Sequence, residues 1–142
     1  MNKGFSLLEL LIVLSLAGIL AALAYPNYLD FIRAARRCDG QSALLDLANR
    51  MERYYAEQQS YLTATLDTGK PTDILASALS AQGWYRLLIS EQTDSTFTLQ
   101  AIPRLAQEQD KPCQTLTFNS LGSKSIKAGP AGMPTATVNQ CW

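Results

Sequence analysis

An almost uninterrupted run of apolar residues opens the chain and separates it from the rest of the sequence. From Phe5 to Tyr25, Glu9 is the only charged side chain, and Ser6 and Ser15 are the other polar ones. At ~1.5 Å per residue of helix, this run is long enough to cross ~30 Å of hydrocarbon. The pattern predicts a helix over residues 5–25 that is buried in a bilayer or among other helices.

A second helical pattern follows, from Pro26 to about Tyr61. Apolar and aromatic positions recur there at three- and four-residue spacing: Leu44, Leu47, Ala48, Met51, Tyr54, Tyr55 and Gln58. The opposite face carries Asp46, Arg50, Arg53 and Glu57. Since each arginine has an acid four residues away, these charges indicate a solvated face of ion pairs rather than a binding patch.

Residues 62–142 change to a pattern of turns and strands. A region rich in Thr, Ser, Gly and Pro, residues 63–83, is expected to hold a short turn of helix at 73–79. Three runs with strand character follow, at residues 84–90, 96–102 and 115–119. After Gly122 we expect an irregular loop. The predicted fold is α+β, with a long N-terminal helix packed on a small antiparallel sheet.

Composition narrows the range of functions. Twelve basic and twelve acidic side chains cancel, so no overall charge attracts nucleic acid. Histidine is absent, which removes Ser-His-Asp triads and His/Cys zinc sites. We therefore expect no enzyme, no metal and no cofactor.

The three cysteines suggest one disulfide. In an exported domain, two of three cysteines are expected to pair, and Cys113 and Cys141 both lie in the turn-rich C-terminal half. Cys38 falls in a helical pattern, where we expect a small apolar residue of a packed face; a redox or intermolecular role is the alternative.

Two ordinary interpretations of the N-terminus leave Glu9 unexplained. A secretory signal peptide would be cut near Ala24, and a plain membrane anchor would keep Lys3 in the cytoplasm. In either case an acid within the apolar run costs free energy without a return.

The stretch Gly4-Phe5-Ser6-Leu7-Leu8-Glu9 resembles the class III signal of type IV prepilins. The resemblance implies a leader, residues 1–4, that prepilin peptidase removes between Gly4 and Phe5, and N-methylation of the new amine of Phe5. It also implies that Glu9 meets the amine of a neighbouring pilin subunit and so sets the axial register in the filament. The partners implied are other pilins, the inner-membrane assembly platform and the inner membrane itself.

Pro26 also falls where pilins have a helix-kinking proline, and it cannot donate a hydrogen bond to the carbonyl of Ala22. The segment from Gly18 to Pro26 is therefore expected to loosen, unless Pro26 only marks the membrane exit. The segment 50–61 and the C-terminal Cys113 to Gly122 with Cys141-Trp142 are similar to PilE-type minor pilins.

The resemblance implies a periplasmic domain, residues 26–142, that becomes extracellular in the pilus. The function expected is that of a minor pilin supporting twitching motility, adhesion or DNA uptake. A type II secretion pseudopilin is the alternative, as is a pilin whose exposed domain binds DNA or a host surface. Residues 111–142 contain Lys111, Lys124 and Lys127 and no acid, but three lysines without interleaved aromatic residues are a weak signal for nucleic acid.

Overall fold

The computed structural model describes residues 6–142, so Gly4 and Phe5 lie outside the described residues. The chain divides into two compact units, Met1–Arg33 and Ala34–Trp142, and each is described by itself. One helix, α1, runs from Leu7 to Gln58 and contributes residues to both.

Helix α1 ends three residues before the predicted Tyr61. Gln59 adopts a left-handed conformation, with φ of 56°, and its N–H donates to the carbonyl of Tyr55 at 2.8 Å. A left-handed residue directly after the last helical one is a common way to end a helix. Gly18 and Pro26 both lie inside α1, and a loosened segment between them stays a prediction.

The second unit is built on a four-stranded antiparallel sheet. Its strands, in spatial order, are β3 (Tyr85–Gln92), β4 (Phe97–Pro103), β5 (Thr115–Asn119) and β6 (Lys124–Lys127). The three predicted strands are confirmed within two residues. The fourth, β6, replaces part of the irregular loop expected after Gly122, and a short helix, α2 (Val138–Cys141), ends the chain.

The region between α1 and the sheet differs from the prediction. Instead of a helical turn at 73–79, it contains two short parallel strands, β1 (Thr65–Leu66) and β2 (Asp73–Leu75). We call residues 59–84 the αβ-loop. A 3₁₀ turn, Leu105–Gln109, follows β4.

The core lies between α1 and the sheet. Leu44, Leu47 and Met51 of α1 are fully buried, in one cluster with Tyr85, Leu99 and Leu116 of the sheet. Gly40 explains how closely the elements approach, because a Cβ at this position would lie 2.8 Å from the ring of Tyr85. The helical face predicted from the sequence is confirmed at Leu44, Leu47, Ala48 and Met51, whereas Gln58 is exposed.

Candidate assembly segment and exposed surfaces

The N-terminal part of α1 presents apolar side chains to its surroundings on every side. Between Leu7 and Leu23 its large aliphatic side chains are 53–76% exposed. An 18-residue window of α1 is long and apolar enough to cross a membrane, and none of it is buried within the protein. Burying each such side chain contributes ~1.5–3 kcal/mol, so the segment is suited to a bilayer or to a bundle of helices.

Glu9 lies in the first turn of α1. A carboxylate there interacts favourably with the positive end of the helix dipole, which is a local benefit of the acid. Its four-residue spacing from Phe5 is known from the sequence alone. Cleavage after Gly4, methylation of Phe5 and the register role of Glu9 therefore stay predictions.

A buried ion pair fastens α1 to the segment after β4. The guanidinium of Arg37 donates two hydrogen bonds to Asp110, Nε to Oδ2 at 2.6 Å and Nη2 to Oδ1 at 2.7 Å. Asp110 is fully buried and also accepts from Gln107 Nε2 at 3.0 Å. The same nitrogen lies 3.0 Å from the hydroxyl of Tyr85, whose pKa is raised by burial. Sequence reasoning missed this network, because nothing in a helical arginine marks a partner 73 residues away.

The chain end is held by a disulfide and by α1. Cys113 and Cys141 are joined, as the sequence led us to expect, and both are buried. Gln41 Nε2 donates to the carbonyl of Cys141 at 2.8 Å, so the helix also holds the last residues directly.

The expectation for Cys38 was wrong. Its side chain is exposed rather than part of a packed face, and its thiol lies 3.8 Å from the carbonyl of Ala34. The buried positions beside it are Asp39 and Gly40, which face the αβ-loop and Tyr85.

A basic and aromatic surface forms along β6, at the edge of the sheet. Lys124 Nζ lies 5.2 Å from the ring centroid of Trp142, and Trp142 Nε1 donates to the carbonyl of Ser125 at 3.0 Å. Phe118 lies beside the same indole, with ring centroids 6.2 Å apart. The fold thus supplies the aromatic neighbours that the linear sequence lacks around these lysines. We call Lys124, Lys127 and Trp142 the β6 surface.

The αβ-loop is organised around one carboxylate. Asp73 accepts hydrogen bonds from the hydroxyl of Thr65 at 2.6 Å and from the backbone N–H groups of Thr68 and Gly69 at 2.8 and 2.7 Å. The bond from Thr65, with smaller help from Thr68 and Gly69, lowers the pKa of Asp73 to about 2. Within residues 6–142, no group of three or more His, Cys, Asp or Glu could hold a metal ion.

Comparison with known proteins identifies the family of this chain. Residues 26–117 match the family described as type IV minor pilin ComP, DNA uptake sequence receptor, and residues 1–25 match the prokaryotic N-terminal methylation motif. The chain belongs to the type IV minor pilin family. This assignment to a family of pilins favours the pilin interpretation over the pseudopilin one.

Individual relatives of this minor pilin are also pilins or fimbrial proteins. The type IV major pilin PilA of Myxococcus xanthus is 35% identical over 60 residues, which are 42% of this chain and 27% of PilA. The fimbrial protein EcpC of Eikenella corrodens is 27% identical over 90 residues, 58% of this chain and 59% of EcpC. The matched part thus spans between about a quarter and three fifths of these relatives.

The fold is that of a solved minor pilin. The non-core minor pilin PilV of Neisseria meningitidis aligns with a TM-score of 0.53 at 23% identity, covering 75% of this chain and 97% of that structure. The long N-terminal helix with an antiparallel sheet, predicted from the sequence, is confirmed as a type IV pilin fold.

Proposed function

We propose that this minor pilin is a structural subunit of a type IV pilus, held in the inner membrane by residues 5–25 and then assembled with other pilins. The observation that carries the proposal is the exposed apolar part of α1, which lies within the match to the N-terminal methylation motif. A segment that is apolar all round can pass from bilayer to helix bundle with little change in solvation, because both settings are apolar. Packing and polar contacts between subunits then determine the axial position of the subunit in the filament.

Glu9 supplies the polar contact in this proposal. Prepilin peptidase removes residues 1–4, and the amine of Phe5, with a reference pKa near ~7.7, is a cation below that pH. The carboxylate of Glu9 pairs with this amine on a neighbouring subunit. Truncating one partner of a buried pair costs ~3–5 kcal/mol, so only a subunit at the correct height is stable.

A substitution at Glu9 tests the assembly role. We expect Glu9→Ala to leave membrane insertion intact, since the change makes the segment more apolar, and to remove the subunit from sheared pili. Glu57→Ala is the matched control, because Glu57 is exposed near the other end of α1. Normal incorporation of the Glu9 variant, measured by immunoblot of sheared pili, would contradict the register mechanism.

A second function, DNA binding by the exposed domain, is favoured by two observations. The family that matches residues 26–117 is described as a DNA uptake sequence receptor. The β6 surface combines two lysines with an indole, and residues 111–142 contain no acid. Lysines contact phosphates, and aromatic rings stack on bases, so this surface has the chemistry that nucleic acid requires.

Full-length protein in detergent micelles tests DNA binding. If the β6 surface binds DNA, Lys124→Gln with Lys127→Gln should weaken binding and reduce the slope of log affinity against log salt by about 2. The control is Arg50→Gln with Arg53→Gln, which removes two charges from the exposed face of α1. Equal affinity of both double variants, measured by fluorescence anisotropy, would exclude the β6 surface as the DNA site.

A further inference from the structure

The globular unit, Ala34–Trp142, carries an exposed leucine at one end of its sheet. Leu105 comes two residues after Pro103, which ends β4 and pairs with Tyr85 at the start of β3. It is 64% exposed, and its φ of 55° lies in the left-handed region that leucine rarely adopts. Glycine or asparagine would suit such a turn without exposing an apolar side chain, so this leucine is a candidate contact with another molecule.

Positive charge lies on both sides of this leucine. Arg104 precedes it and Lys111 follows the 3₁₀ turn, and neither side chain forms an ion pair in the part of the chain that the structure describes. The half-buried Glu108 is the acid of that turn, while Asp110 is fully buried against Arg37. The region therefore has an excess of positive charge. We call Arg104, Leu105 and Lys111 the Leu105 surface.

The opposite end of the same unit has an apolar groove between α1 and the sheet, with a volume of about 390 Å³. Its walls include Leu45, Ala48, Asn49 and Glu52 of α1 and Phe97 and Phe118 of the sheet. A groove of this size can hold a small group of side chains from a partner. We call these six residues the Phe118 groove.

The Phe118 groove combines open apolar surface with one acid. Leu45 is 42% exposed there, although it lies on the helix that packs against the core. Among the described residues, Glu52 is the only charged one that lines the groove, and its Oε1 accepts from the hydroxyl of Tyr61 at 3.1 Å. Lys124 lies at the same end of the sheet, but it is placed over the ring of Trp142 and does not line the groove.

The Leu105 surface and the Phe118 groove are too far apart to meet within one molecule. Phe97 begins β4 and Leu105 follows its end, and the seven residues of this strand span about 20 Å. A second copy of the chain can bring the two surfaces together. Each such pair leaves one free surface and one free groove, so the contact can repeat. Contacts between different surfaces of identical subunits build open filaments unless the rotation closes a ring.

We propose that the Leu105 surface of one subunit docks into the Phe118 groove of a second copy of this chain. The leucine side chain enters the groove, and Arg104 pairs with Glu52. The opposite charges of the two surfaces favour this partner and fix its orientation. This inference rests on the proposed function as a filament subunit. It adds a contact between globular units to the contacts that the apolar segment makes.

Cross-linking of two cysteine variants of the full-length protein in detergent micelles tests this contact. Ala106→Cys places a thiol beside the leucine, Asn49→Cys places one in the groove, and Cys38→Ser removes the exposed native thiol from every variant. After the two variants are mixed, a short bismaleimide joins thiols that lie close together.

The control mixture pairs Ala106→Cys with Leu88→Cys, because Leu88 is 42% exposed in the middle of β3, away from both ends of the sheet. Docking raises the local concentration of the two thiols, so we expect the Ala106–Asn49 heterodimer yield to exceed that of the control at least about threefold. Equal yields of the two heterodimers would overturn the proposal.

Exchange of the two charges tests the orientation of the contact. Glu52→Arg in the groove partner places two cations together, so the heterodimer yield should fall at least about fivefold. Arg104→Glu in the other partner should restore the yield. Glu57→Arg is the control and should change little, because Glu57 is exposed on α1 outside the groove. An undiminished yield with Glu52→Arg, or a loss that Arg104→Glu does not reverse, would contradict the pairing.

Leu105→Gln gives an independent measurement, since this exposed side chain contributes little to the core. It should lower the heterodimer yield about threefold or more, as expected for the central apolar side chain of an interface, whereas Leu88→Gln should not. An unchanged yield would overturn the proposal even if Arg104→Glu failed to fold. Presence of the protein in sheared pili together with unspecific cross-linking would refute only this contact. Absence of the protein from pili would refute the proposed function and, with it, the role of this contact in a filament.

Discussion

Two aspartates of this minor pilin form ion pairs in very different settings. Asp110 has no exposed surface and pairs with Arg37, whereas Asp46 and Arg50 form a pair on the solvated face of α1, with 54% and 38% of their side chains exposed. A buried carboxylate gives up its hydration and depends on its partner, while an exposed one keeps water as an alternative. The two pairs should therefore differ greatly in their effect on stability.

Replacing Asp110 with Asn should lower the free energy of unfolding by ~3–5 kcal/mol, because it removes the fully buried carboxylate that accepts two hydrogen bonds from the guanidinium of Arg37. Asp46→Asn should cost less than ~1 kcal/mol, since this pair is screened by solvent. Urea denaturation of both variants in detergent measures the difference. Similar costs for the two would show that Asp110 is not the anchor of α1.

At the residue scale, the sequence predicted buried positions better than it predicted partners. Helical periodicity alone predicts the burial of Leu44, Leu47, Ala48 and Met51, because it shows which face of the helix is apolar. It does not predict the exposure of Cys38, since a cysteine is compatible with either face. Long-range pairs such as Arg37 with Asp110 depend on how the loop after β4 folds back, and no local pattern encodes this.

Among the elements, the αβ-loop shows how one side chain can override a local propensity. Residues 73–79 have a weakly helical composition, but Asp73 accepts hydrogen bonds from Thr65, Thr68 and Gly69. These bonds offer the backbone an alternative to a helical turn, and they hold β2 beside β1. The local sequence around residue 73 does not show which groups donate hydrogen bonds to Asp73.

The pH dependence of the αβ-loop follows from the pKa of Asp73. Since folding lowers this pKa from 3.8 to about 2, the carboxylate stabilises the loop above pH ~3.8, and this contribution is lost as the pH falls through about 2. At neutral pH, Asp73→Asn should speed hydrogen exchange at the amides of Thr68 and Gly69. Asp67→Asn, on an exposed neighbour, is the control; unchanged exchange in the Asp73 variant would contradict this role.

Strand β6 was missed for a different reason. Its sequence, Lys124-Ser125-Ile126-Lys127, has one apolar residue and follows a Gly-Ser turn, which is typical of a loop. The structure explains it as an edge strand, where lysines are common because they discourage pairing with another sheet. Only Ile126, half-buried against the core, carries a strand signal.

For the whole molecule, the disulfide closes the C-terminal part of the fold across 28 residues of sequence separation. On the chain-entropy model a loop of this size contributes ~3.5 kcal/mol by restricting the unfolded chain. Cys113→Ser with Cys141→Ser should lower the free energy of unfolding by about that amount. Cys38→Ser is the control and should have little effect, because Cys38 is exposed and takes no part in the disulfide.

The general architecture could be predicted because two strong patterns, an apolar run and a helical periodicity, fix the long helix. The sheet followed from three alternating runs. The binding partners of the chain could not be derived in the same way. Assembly depends on contacts between surfaces of different subunits, and the sequence of one subunit does not show which surfaces meet. The family assignment limits that question to the functions of type IV pili, and our proposal assigns assembly to the exposed aliphatic side chains of α1.

Mass spectrometry of the N-terminal peptide from sheared pili tests this account most directly. The account predicts a mature chain that begins at Phe5, carries a methyl group on its α-amine and is present in the filament. An intact Met1, a first residue near Tyr25, or absence of the protein from pili would contradict it.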